Sequence, residues 1–122
     1  RVQNAMIREV WDLYERGIAS AEDIDTAIRG SIGFRLALFG PLKICDFGGI
    51  DIWTTVYNEL APDLRADAEV PAIMKAHVEA GDAGVCVGRG IHEYESIETV
   101  TAERDGLMLK LAKLLQESTK EP

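Results

Sequence analysis

Histidine and cysteine are nearly absent from this chain. Two of each stand among 122 residues, His77, His92, Cys45 and Cys86. No CxxC, HxxxH or HExxH run sets ligands at a fixed spacing, so no metal site is expected. Two cysteines make no disulfide framework, and no basic stretch leads into an apolar run as a secretory signal would. A reduced, cytoplasmic setting is therefore expected, with both thiols acting as small apolar side chains. Positive charge is also short. Thirteen Lys and Arg against 21 Asp and Glu leave a net charge of -8, which repels nucleic acid and anionic membranes alike. No run approaches the ~18 apolar residues that span a bilayer. Alternating strand patterns and internal repeats are missing. The glycines at 81, 84, 88 and 90 cluster, but they neither follow a clear strand nor open a helix, so they do not form the Gly-x-Gly-x-x-Gly turn that cradles a dinucleotide.

What is present reads as an all-α domain. A content of 47% hydrophobic and 28% charged residues is ordinary for a soluble globular protein. A chain of this length can bury about two thirds of its unfolded surface in one core. Val2, Met6, Ile7, Val10 and Leu13 carry helical period from the first residues, and a helix is expected to about Arg16. Because that pattern starts uncapped at Arg1, the expectation is a piece of a longer protein. Gly17 ends the helix, and Ser20 with Asp23 forms a capping box for a second one over Ala21 to Arg29. Pro41 suits the first position of a third, to Phe47. Asp51 is placed to cap a fourth reaching about Leu60, before Pro62. A fifth spans Pro71 to Ala80, and a loop from Asp82 to Tyr94 has Val85–Val87 as its one strand-like piece. The last helix, Ile97 to Glu117, carries Ile97, Val100, Leu107, Met108, Leu111, Leu114 and Leu115 near a heptad seam interrupted by Arg104. Gly106 costs that helix about 1 kcal/mol relative to alanine.

The order of these signals resembles one family. Gly17, the Ala19-Ser-Ala-Glu-Asp-Ile-Asp25 segment, Gly33-Phe34, Gly40-Pro41-Leu42 running to Asp46, Gly49-Ile50-Asp51, and Gly84, Gly88, Gly90 and Tyr94 together resemble the C-terminal helical domain of the L-3-hydroxyacyl-CoA dehydrogenases. The resemblance covers residues 1–94, with 95–122 a helical extension of the same domain. It implies the 6-phosphogluconate dehydrogenase C-terminal-like fold of about six helices. It also implies an intact enzyme that oxidises 3-hydroxyacyl-CoA to its 3-oxo form with NAD. The NAD site, the histidine base with its glutamate, and a neighbouring asparagine then belong to an N-terminal nucleotide-binding domain ahead of Arg1. No catalytic, cofactor or metal residue is assigned to this fragment, which is expected to be inert alone. The family generally pairs through these helical domains, so a homodimer is implied, with the Ile97–Leu115 stripe as a candidate interface.

Gly33 to Pro41 is the best functional candidate, read as an irregular loop whose Phe34, Leu36, Leu38 and Phe39 must bury against something. By the resemblance Phe39, Gly40 and Pro41 line the acyl pocket, with Arg35 a further contact; plugging of the domain's own core by Phe34 and Phe39 is an equal alternative. The Arg35-Leu-Ala-Leu-Phe39 run departs from the family's commoner Pro-Met before Gly-Pro. Relatives with such an arginine-containing form include enzymes for small hydroxy acids such as carnitine, which keeps a substrate without CoA open. A stand-alone helical dimerisation module is the remaining alternative. His77 stands two residues from Glu79, where helical side chains do not face each other, and both histidines read as structural. Glu22-Asp23 and Asp63-Asp67 read as helix-start charges and solvated faces.

Overall fold

Local capping explains where the helices start and stop. The computed structural model describes residues 1–118. Among them α1 covers Val2–Glu15, α2 Ala21–Ile28, α3 Phe34–Phe39, α4 Pro41–Gly48, α5 Ile50–Leu60, α6 Ala72–Glu79 and α7 Ile97–Ser118. All six expected helices are present, α3 is additional, and the described residues hold no sheet. The chain divides into two units, Arg1–Ala72 and Ile73–Pro122.

In the first unit, α1 ends as the sequence predicts. Gly17 takes φ +65°, a conformation a Cβ would oppose. Its N–H donates to the Tyr14 carbonyl while Ile18 N–H reaches back to Leu13, so two orphan carbonyls are satisfied. Ser20 Oγ accepts from Asp23 N–H at 3.1 Å and donates to the Asp23 carboxylate at 2.7 Å, which closes the box at the start of α2. Trp11 and Tyr14 meet edge to face on α1, with centroids 5.9 Å apart. The buried hydrophobic residues are Ile24 of α2 and Ile44 of α4.

The stretch Gly33–Pro41 is helical, not a loop. A π-helical turn over Arg29–Gly33 leads directly into α3. A Cβ on Gly33 would stand 3.0 Å from the Ile28 carbonyl oxygen, so glycine lets that wide turn close, and Ser31 Oγ donates to the Ala27 carbonyl at 2.6 Å. The extra residue in the turn shifts the helical phase, which hides the segment from a 3.6-residue pattern. Gly40, at φ +74°, then ends α3, and Pro41 opens α4. The cap of α5 is Gly49 rather than Asp51, which stands in the first turn, where its charge suits the helix dipole.

Arg65 ties the end of this unit to α1. Its backbone N–H donates to Glu9 at 2.8 Å, and its guanidinium reaches Asp12 at 3.2 Å, Glu15 at 3.3 Å and Asp67 at 2.7 Å. Glu9, Asp12 and Glu15 lie three residues apart on one face of α1. Arg8 donates to the Asp67 carbonyl at 3.3 Å. Asp67, expected from its sequence context to be a solvated charge, is part of this network.

In the second unit, α6 ends as α1 does, with Gly81 N–H on Val78 and Asp82 N–H on His77. Val85–Val87 is a 3-10 turn rather than a strand. Around it Gly84 N–H donates to Arg89, Gly90 to His92 and Tyr94 to Gly88, all within 2.9 Å. Arg89 pairs with Asp82 at 2.7 Å. Ser96 Oγ caps the start of α7 by accepting from Thr99 N–H, and α7 packs on the Val85–Val87 turn. Of its apolar residues, Leu107, Met108, Leu109, Leu111 and Leu114 are exposed, while Val100 and Leu115 are half-buried.

The Arg65 guanidinium beside it holds the Asp67 carboxyl below its ordinary value of 3.8. The folded carboxyl therefore binds its proton more weakly than the unfolded one. Its contribution is complete well above that value and is lost as the pH falls through the folded value. Thermal unfolding midpoints between pH 7 and pH 3 should fall on the acid side in the native chain. They should fall less in Asp67→Asn, which starts from a lower midpoint at pH 7.

Candidate functional site

Helices α3, α4 and the first turn of α5 frame a cleft of about 310 Å³ lined by Arg35, Phe39, Ile44, Phe47, Gly48 and Trp53. The Gly48–Gly49 break turns the chain so that α5 follows α4 with no intervening loop. A Cβ on Gly48 would lie 2.7 Å from the Trp53 Nε1, so the indole rests against bare backbone there. Phe39 and Phe47 pack edge to face at 5.1 Å, and Lys43 Nζ stands 6.0 Å and 5.9 Å from their centroids, a cation over both rings. Phe39 and Phe47 remain 45% and 67% exposed, so neither plugs a core.

Of the residues that the sequence singles out, Arg35 and Phe39 share this cleft. Gly40 and Pro41 do not line it; they form the corner between α3 and α4. Phe47, Gly48 and Trp53 escape the sequence reading, although a double glycine followed by a tryptophan is a usable sign of ring-on-backbone packing. The lining is apolar apart from Arg35 and carries no carboxylate. Such a surface can hold an apolar or planar group and orient it through one cation.

The histidines are built into the second unit. His77 Nδ1 lies 4.0 Å from the Asp82 carboxylate that Arg89 also holds, and the His92 carbonyl accepts from Gly90. No metal-holding group of three His, Cys, Asp or Glu occurs among the described residues. The clustered glycines do not fit a dinucleotide. A Cβ on Gly90 would meet the Gly84 Cα at 2.8 Å, so these residues serve backbone packing, and the helix that follows starts only at Ile97. No helix among the described residues is long and apolar enough to cross a membrane.

A family described as 3-hydroxyacyl-CoA dehydrogenase, C-terminal domain, matches residues 1–94. The 5-formyl-3-hydroxy-2-methylpyridine 4-carboxylate 5-dehydrogenase of Mesorhizobium japonicum is 32% identical over 118 residues, covering 95% of this chain and 38% of that protein. The bovine lambda-crystallin homolog is 31% identical over 117 residues, covering 93% and 36%. A crystal structure of the pyridine-carboxylate enzyme, described as an NAD+ dependent dismutase, superposes with a TM-score of 0.91 at 32% identity, over 95% of this chain and 38% of its own. The chain thus spans less than two fifths of the length of these relatives.

Gly48→Ala should push the Trp53 ring off the α4 backbone, at a cost of about 1–3 kcal/mol for overpacking. In a Trp11→Phe background, urea unfolding should show the loss and the emission maximum of Trp53 should move. An unchanged maximum would mean the indole does not rest on Gly48.

Proposed function

The chain belongs to the 3-hydroxyacyl-CoA dehydrogenase family through that family's C-terminal domain, and from this premise we propose that it forms the substrate-side wall and pairing surface of an NAD-dependent dehydrogenase that oxidises a hydroxyl group. The observation that carries the reading is the cleft beneath Arg35 and Phe39, open, apolar and singly charged. On this reading the base and the NAD site belong to a nucleotide-binding domain that works beside this one, in keeping with the family and with a glycine cluster that does not fit the cofactor.

Two substrate classes suit the wall. One is a 3-hydroxyacyl-CoA, oxidised to 3-oxoacyl-CoA, in keeping with the family. The other is a small hydroxy acid without CoA, a reading favoured by Arg35 in the cleft and by the relative named for a pyridine carboxylate. The setting is a reduced one, in keeping with two free cysteines, one of them exposed.

Pairing is supported by uncovered apolar surface. Leu42, Ile50 and Tyr57, outside the cleft, are each at least 65% exposed, and α7 adds a row of leucines. Surfaces of this kind are normally covered by a partner.

Two measurements test the proposal. Light scattering of the chain at low micromolar concentration should give twice its 13.4 kDa mass; a monomer throughout a dilution series would remove the pairing role. The chain alone should form no NADH from NAD and 3-hydroxybutyryl-CoA. Fused behind the nucleotide-binding domain of the Mesorhizobium relative, it should reduce NAD with a hydroxy substrate of one of the two classes. A fusion that folds and binds NAD but oxidises neither would sink the dehydrogenase reading.

A further inference from the structure

We propose that Arg35 selects a substrate carrying a free carboxylate, and that the cleft beneath it takes a small planar acid in preference to an acyl thioester. This rests on reading the cleft as the substrate wall, and it goes further by choosing between the two substrate classes.

The first observation is what Arg35 does not do. Arg8, Arg16, Arg65, Arg89 and Arg104 each donate to an oxygen of the protein. Arg35, like Arg1 and Arg29, has no side-chain hydrogen bond or ion pair among the described residues, in a chain with eight more acids than bases; unlike Arg29, whose pocket also holds Asp25, it lines a cleft without a carboxylate. The second is the company it keeps. The rest of the lining is Phe39, Ile44, Phe47, Gly48 and Trp53, with no carboxylate to neutralise the guanidinium. Lys43, held over the Phe39 and Phe47 rings, puts a second positive charge at the same aromatic pair. One cation lines an apolar cleft on an acidic protein, and a second stands over two of its aromatic walls.

The chemistry of a ligand follows from that arrangement. A guanidinium is a rigid fork whose parallel N–H groups match the two oxygens of a carboxylate, and such charge-assisted pairs are about twice as strong as neutral ones. A thioester offers one neutral carbonyl and uses half the fork. The aromatic walls favour a flat ring or short chain behind the acid. The size agrees, since about 310 Å³ equals roughly ten water molecules of liquid volume. That is the small end of ligand pockets, ample for a benzoate-sized acid.

The test uses the full chain, labelled with ¹⁵N, and three probes: benzoate, benzamide and butyryl-CoA. Benzoate should shift the Gly48 amide and Trp53 indole N–H signals saturably, about tenfold or more tighter than isosteric benzamide, in line with a hydrogen bond to a charged group. Butyryl-CoA should bind more weakly than benzoate. Arg35→Lys should keep part of the preference for benzoate, and Arg35→Ala should abolish it. Equal binding of benzoate and benzamide by the native chain would overturn the proposal without recourse to any variant. Tighter binding of butyryl-CoA, or no binding of benzoate, would overturn it too. The readout needs no NAD. Selective benzoate binding alongside an NAD-inert fusion would sink only the dehydrogenase reading. NAD reduction alongside unselective binding would sink only the role of Arg35.

Discussion

Short helices do not persist in water unless something covers their apolar side, and that constraint governs this molecule. Among the described residues, six of the seven α-helices run fourteen residues or fewer, and α3 has only six. The buried hydrophobic residues, Ile24 and Ile44, pin α2 and α4, while Phe34, Leu42, Phe47, Ile50 and Tyr57 face outward. On the proposed pairing, that surface is what a partner would cover. The open cleft and the exposed leucines of α7 express the same shortage of internal cover.

Charge does some of the work that the core does not. Glu9, Asp12 and Glu15 would repel one another along α1 if nothing answered them. Arg65 answers all three with its backbone N–H and its guanidinium, and its hold on Asp67 completes the tie between α1 and the end of the first unit. These groups are partly exposed, so the pairing fixes geometry more than it adds stability. In the second unit Asp82 plays the matching part, taking Arg89 on one side and facing His77 on the other.

Features set within a few residues are legible in the amino-acid order alone. Gly17 with Ser20 and Asp23 marks a stop and a start because the hydrogen bonds involved span three to five residues, and Pro41 marks the start of α4 for the same reason. Gly33–Phe39 is not legible as helix, because its π-helical entry breaks the periodicity on which such reading depends. The family resemblance points to Arg35 and Phe39, yet it cannot bring Trp53 to Gly48, which depends on how α5 leaves the Gly48–Gly49 turn. Arg65 has a faint signal, the acidic row on α1, which asks for a cation without saying which arginine supplies it.

A wall of this construction separates binding from chemistry. Arg35 and the aromatic residues beneath it stand on three short helices whose ends are fixed by Gly33, Gly40 and the Gly48–Gly49 pair. On the proposed reading, exchanging the residue at position 35 would alter which group is held at the cleft while leaving those glycine-set corners alone, since its side chain takes no part in the protein's own hydrogen bonding. Exchanging Gly48 would do the reverse, moving the indole and reshaping the cleft for every ligand. Selectivity in such a domain can therefore change through one exposed side chain, provided the backbone close to Trp53 stays bare.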